Sequence, residues 1–244
     1  MATSVTSQSR SGTATPRSTP CSRAPARSSG SSSREPWRAT RLPGAEAVDQ
    51  SVADPREVRR LQRRARLMQA ALAMFAARGY HVSSVDDIVA RAHMSKSAFY
   101  DQFDSKEHCF REVLAQEGGD LIHTVIAAAS DGQDHRDRMR RGIQAFVVAC
   151  YKRSAVARLM LVESVGLSPS VDEVRHQLQE RFAHMVAEEV RLALLDDEFY
   201  ANQDPQVFGR AVVGAVNDAV GHFLTHPGAD AESLADSLCR IFAP

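Results

Sequence analysis

The sequence predicts an all-α fold, and three observations carry that prediction. After Pro55, apolar residues recur every three or four positions almost to the end of the chain, which is the period of a helix with one buried face. Alternating apolar and polar runs are missing and turn dipeptides are few, so strands have no signal. Serine or aspartate stands just ahead of several periodic stretches, at Ser84, at Ser95 and at Asp104 or Ser105, where a side-chain oxygen can accept from the unpaired N–H groups of a helix start.

Each element can be justified in turn. Residues 1–53 are dominated by Ser, Thr, Pro, Ala and Arg, too apolar-poor to offset the entropy of ordering, and are expected to form a disordered tail. The first helix follows from Leu61, Ala65, Met68, Leu72 and Phe75, one stripe expected to be buried, with Arg59, Arg60, Arg63, Arg64 and Arg66 on much of the remaining surface and Gly79 as the stop. The second opens at Ser84, with Asp87 placed to reach back to the cap, turns Val85, Ile88 and Val89 inward and ends near Arg91. The third, barely two turns, runs from Ser95 through Tyr100, and Phe99 and Phe103 share the face that docks it. The fourth begins at Asp104 or Ser105 and carries Cys109, Phe110, Val113 and Leu114. Further helices are expected at about 120–130, 136–152, 154–165, 170–195, 204–226 and 231–242. Gly118 and Gly119 are expected to interrupt the helix between the two parts of the molecule, as a plain break or as a hinge.

Charge and cysteines narrow the function. The chain is neutral overall, yet residues 1–117 hold 18 basic against 12 acidic side chains, so a polyanion partner belongs to the front half. Cys21, Cys109, Cys150 and Cys239 show no metal-finger spacing and read as reduced thiols, the last three buried. No apolar run approaches a membrane span, and a cytoplasmic protein is expected.

The stretch RAHMSKSAFYDQFDSKE, Arg91 to Glu107, packs a helix end, a tight turn and a second helix start into a helix-turn-helix. Such a module offers the start of its second helix to the major groove. Ser95 and Ser97 can donate there, Lys96 brings charge, Ala98 is small enough to meet a thymine methyl and the Tyr100 hydroxyl can reach phosphate. Lys106 is a second phosphate candidate. The tail's seven arginines against one acid before Ala45 fit an arm that grazes DNA, a solvated tail or an organelle transit peptide.

The segment ALAMFAARGYHVSSVDDIVARAHMSKSAFYDQFDSKEHCF resembles the N-terminal DNA-binding domain of the TetR/AcrR family of transcriptional regulators, with F-x-x-x-G-Y, then S-x-x-x-I, then S-K-x-x-x-Y-x-x-F-x-S-K-E in register. The resemblance implies an all-helical homodimer with a helix-turn-helix domain at 54–116 and a ligand-binding and dimerisation domain at 117–244. It implicates Ser84, Ser95, Lys96, Ser97, Ala98, Tyr100 and Lys106 in DNA contact, with Gln102 at a contacting position but with a different side chain. The sequence departs from the family pattern at His93, which takes a turn position that favours positive φ, and at Asp101.

In the back half, Phe208 to Leu224 mixes large apolar residues with Ala211, Gly214, Ala215 and Ala219 over a wide arc, so this helix must be covered on two sides. The resemblance implies that it joins the last helix, which carries Leu234, Leu238 and Ile241, in a dimer interface; a purely intramolecular core is the alternative. Candidate ligand contacts are Phe146, Met160, Glu163, His176, Phe182 and Met185; Glu163, among apolar neighbours, suits either a cationic ligand or an arginine partner. The expected function is a ligand-responsive regulator, a repressor that a small-molecule effector releases from a palindromic double-stranded DNA operator. The alternatives are a DNA-binding architectural protein without an effector, or a helical-bundle metalloenzyme built on Glu173 and His176 or Asp120 and His123; His222 and His226 are a further metal-type pair. No catalytic motif and no cofactor are expected.

Overall fold

The computed structural model describes residues 54–226 and 228–244, and among these residues the regular structure is helical, with no strand. The expected tail, 1–53, lies outside the described residues, as does Cys21. Helix α1 (Pro55–Arg78) starts where the Asp54 carboxylate accepts from the Arg56 amide and Pro55 occupies the first turn, a place where its missing N–H is no loss. It stops at Gly79, whose φ of 80° favours glycine. The buried stripe begins later than its periodicity suggested. Leu61 is 52% exposed and Ala65 is also exposed, whereas Leu67, Met68, Ala71, Met74 and Phe75 are buried, because the first turns of α1 extend beyond the elements that cover its second half.

Helix α2 (Val85–Ala92) opens on the reciprocal cap read from the sequence. The Asp87 amide donates to Ser84 Oγ at 3.1 Å and the Ser84 amide donates to Asp87 Oδ2 at 2.9 Å. His93 ends it with φ of 54°, the left-handed conformation the turn needs. Helix α3 (Lys96–Tyr100) follows, capped by Ser95, and α4 (Lys106–Ser130) is capped by Ser105.

The expected interruption at Gly118 and Gly119 is corrected: α4 runs unbroken through both. Gly118 is buried where α4 crosses α7, and a Cβ there would press into the Leu178 side chain; Gly119 faces open space. One glycine therefore permits close helix approach and the other is merely tolerated. The chain continues through α5 (His135–Lys152), α6 (Ser154–Arg158) with a π-helical turn at Leu159–Glu163, α7 (Pro169–Ala193), α8 (Pro205–Thr225) and α9 (Ala231–Phe242). Helices α7 and α8 come close at Gly209, where a Cβ would collide with the Ala183 carbonyl oxygen.

Two cores result. Phe75, Ile88, Phe99, Phe103 and Phe110 hold α1 to α4 together, with Leu159 and Val171 reaching in from the back half. Phe146, Val147, Val190, Tyr200, Val212, Val216 and Leu238 anchor the second. Each fully buried Phe contributes about 1.5–3 kcal/mol relative to exposure. Cys109, Cys150 and Cys239 are buried free thiols, pushed by burial up to about 12, 12 and 11. Among the described residues, no helix is long and apolar enough to cross a membrane.

Candidate nucleic-acid interface and apolar cavity

The α3 start is built by its caps. Ser95 Oγ accepts from the Ala98 amide at 3.2 Å, which leaves the hydroxyl hydrogen for an acceptor in front of the helix, and the exposed Ser97 stands beside it. Phe99 is fully buried against Phe103, with ring centroids 5.3 Å apart, and this anchor turns Tyr100 outward to 54% exposure. Ala98 is half-buried. Lys96 Nζ lies 2.8 Å from Asp86 Oδ1, and this bond raises the lysine's pKa. Because both partners are well exposed, the pair is weak enough for a phosphate to replace the carboxylate.

Lys106 is placed differently from Lys96. Its ammonium donates to the Tyr80 and Ser83 carbonyls, each at 2.9 Å, and lies 4.1 Å from the Tyr80 ring centroid. Burial pushes its pKa below the ordinary lysine value. Two of its three donors are used inside the module, so one remains for an outside acceptor. Ser84 is exposed and caps α2 with Asp87. Gln102 is half-buried, its Oε1 enclosed without a hydrogen-bond partner, and its backbone carbonyl accepts from Arg64 at 2.9 Å.

Sequence reading missed the supports behind this surface. Arg66 donates to the Ala92 carbonyl at 3.1 Å, tying α1 to the turn, and Arg64 reaches both Gln102 and Glu112 while stacking 4.5 Å from the Phe103 ring. The arginines were visible; which of them would turn back onto the module was not.

In the back half, Phe146, Phe182 and Met185 come together on an apolar cavity of about 70 Å³ between α4, α5, α7 and α8. The other three candidates lie elsewhere. Met160 lines a separate cavity of about 100 Å³ with Glu117 and Arg153. Glu163 pairs with Arg158 at 3.1 Å, the arginine partner considered above, because the π-helical turn carries it out of the apolar stripe and next to Gly79. His176 is exposed on α7, as is Glu173, which binds Gln177. Asp120 and His123 are exposed on α4, and the His222 and His226 rings stack with centroids 4.6 Å apart. Among the described residues, no group of three or more His, Cys, Asp or Glu side chains is arranged to hold a metal.

The polar lining of the first cavity was also missed. Glu189 is buried there, with Oε1 2.6 Å from His135 Nδ1 and 3.5 Å from an Arg138 guanidinium nitrogen, and burial raises its pKa above the ordinary carboxylate value. The available signal was its register, since Glu189 follows Phe182, Met185 and Val186 on the same face of α7.

A family model described as bacterial regulatory proteins, tetR family, matches residues 67–113, over the module just described, and one described as tetracyclin repressor-like, C-terminal domain, matches residues 132–242. The chain belongs to the TetR family. Its members are DNA-binding transcriptional regulators, not enzymes. The chain is 37% identical over 110 residues to the HTH-type transcriptional activator FasR of Mycolicibacterium smegmatis, covering 45% of this chain and 50% of that one. To the HTH-type transcriptional repressor DhaR of a Mycobacterium species it is 32% identical over 123 residues, covering 50% and 61%. It thus spans between half and three-fifths of the length of these TetR-type relatives. The fold is shared with the transcriptional regulator FadR of Bacillus subtilis, solved in complex with stearoyl-CoA, at a TM-score of 0.67 and 14% identity, over 73% of this chain and 97% of that one.

Proposed function

We propose that the chain is a cytoplasmic, ligand-responsive repressor that binds a palindromic operator as a homodimer and leaves it when a small molecule fills the α4, α5, α7 and α8 cavity. The observation that carries this reading is the course of α4. Its first residue, Lys106, is bonded into the helix-turn-helix module, and Val125 and Ala129 near its other end line the cavity. A ligand that favours one position of the far end thereby favours one position of α3. DNA contact is assigned to Ser84, Ser95, Lys96, Ser97, Ala98, Tyr100, Gln102 and Lys106, with 54–116 as the DNA-binding domain and 117–244 as the ligand and dimer domain.

Dimerisation is supported by the outer face of α8. Val207 is 67% exposed, Ala211, Gly214 and Ala215 are exposed beside it, and nothing lies within 4 Å of where a Gly214 side chain would begin. A second copy would cover this face and place two recognition helices on one side of the DNA. Ligand control is supported by the stearoyl-CoA held by the FadR structure. The relatives divide on the sign of control, FasR being an activator and DhaR a repressor. A promoter fusion decides it: repression requires expression to rise when the gene is deleted.

The deciding experiment measures binding to genomic fragments, including DNA around the protein's own gene, across a salt series. Sequence-selective binding is expected, weakened in Lys96→Ala and Tyr100→Ala, with the Lys96→Ala salt slope shallower by about one phosphate contact. Nonselective binding indifferent to both substitutions would remove the proposal.

A further inference from the structure

The cavity between α4, α5, α7 and α8 is lined mostly by apolar side chains, Arg138, Glu189 and Asn217 being the polar ones, and Glu189 carries a specific deficit. Its walls are Val125, Met139, Ile143, Phe146, Phe182 and Val216, with Phe146 and Phe182 packed edge to face at 5.5 Å. The Glu189 side chain is 6% exposed. Its Oε1 is occupied by His135 and approached by Arg138, while Oε2 is enclosed without a hydrogen-bond partner. An enclosed carboxylate oxygen without a donor is costly, so a molecule in the cavity gains by bringing one that the Glu189 side chain can turn to meet.

Charge decides what kind of donor fits. Glu189 already faces Arg138 and His135, and His135 Nε2 lies 3.9 Å from Asp196 Oδ2. The Arg138 guanidinium and the Glu189 carboxylate therefore already answer one another. A ligand ammonium would sit near the Arg138 guanidinium, a ligand carboxylate against Glu189, and either would carry net charge into an apolar space. A neutral donor has neither difficulty. Size adds a limit: about 70 Å³ is smaller than the roughly 150 Å³ cavity known to hold benzene, so the occupant is compact and the Met139 and Met185 side chains must bend to admit a ring.

We propose, resting on the reading of this cavity as the effector site, that its ligand is a compact neutral molecule with an apolar body and a single hydroxyl, an alcohol or phenol, which donates to Glu189 Oε2. Burial of the carboxylate, which raises its pKa, is the same deficit seen from the protein's side.

The test uses four probes, phenol and toluene of matched size and the slightly larger ions benzylammonium and benzoate, titrated calorimetrically into the full-length protein. In parallel, release of operator DNA is followed. Phenol is expected to bind about tenfold more tightly than toluene, the size of effect a hydrogen bond to a charged group gives, and more tightly than either ion. In Glu189→Leu the preference for phenol over toluene is expected to vanish. If that variant does not fold, the order of the four probes on the unaltered protein still decides. Toluene equal to phenol, benzoate or benzylammonium ahead of it, or no probe bound at all would overturn the proposal. Phenol binding with the expected selectivity but without release of DNA would uphold the ligand chemistry and remove the effector reading. Release of DNA by benzoate would do the reverse.

Discussion

The helix-turn-helix module and the helical body behind it are built from similar helices, yet they are held together by different kinds of contact. In the module the contacts are local and repeated: Ser84, Ser95 and Ser105 cap successive helices, and Phe75, Phe99, Phe103 and Phe110 cluster within a short length of chain. In the body they join distant residues. Arg136 grips Asp197 through two bonds of 2.5 and 2.6 Å, Gly209 lets α8 approach the α7 backbone, and Glu189 is held by His135 from another helix. The module keeps its Ser84, Ser95 and Ser105 caps exposed, whereas the body buries the Glu189 carboxylate beside an apolar cavity.

Substitutions can separate these two modes. Phe110→Ala should cost about 3–5 kcal/mol, because the ring is fully buried against both Phe75 and Tyr80; chemical denaturation measures the loss. Gly209→Ala should cost about 1–3 kcal/mol by the same measurement, since a backbone carbonyl must move; an unchanged midpoint would mean that the α7 and α8 contact is slack. Ser84→Ala should cost about 1 kcal/mol, the value of a cap, and lower protection of the α2 amides in hydrogen exchange more than those of α8. The adjacent glycines of α4 should respond with opposite signs. Gly119→Ala should stabilise by about 0.5–1 kcal/mol in thermal melts, as alanine does at an open helical site, while Gly118→Ala should destabilise by displacing Leu178.

Acid response sharpens the comparison further, with smaller effects. Asp87 in the module has its pKa lowered, chiefly by Ser84, so it binds fewer protons folded than unfolded, and its contribution is lost as pH falls through its ordinary value of 3.8 and below. Glu189 in the body has its pKa raised, chiefly by burial, so it binds more protons folded, and stability declines as pH rises from its ordinary value of 4.5 toward the raised one. Asp87→Asn and Glu189→Gln should therefore flatten the stability profile on opposite sides; equal profiles for both variants would contradict the assigned directions.

The same contrast explains what could be read from the amino-acid sequence. The caps, the His93 turn and the Phe99 and Phe103 anchor were legible because each rests on residues a few positions apart, and the TetR resemblance rests on the same residues. The helix boundaries of the body were legible for the same reason. Which faces of those helices meet was not. Gly118 reads as a helix breaker until Leu178 is known to lie against it, and Leu61 reads as core until the covering elements prove to begin at Leu67. Among the ligand candidates, Phe146, Phe182 and Met185, chosen by size and hydrophobicity, line one cavity, while His135, Arg138 and Glu189 become neighbours only when α5 and α7 are brought side by side.

The continuity of α4 also has a mechanical meaning. Its 25 residues make a rod about 37 Å long, seated at one end under the Tyr80 and Ser83 carbonyls and at the other in the cavity wall. A jointed helix would absorb a small disturbance at the joint. A rod turns it into travel: a tilt of about 5° moves one end by about 3 Å relative to the other, two residues' rise along a helix, which is enough to lift a hydrogen-bonding side chain off a base edge.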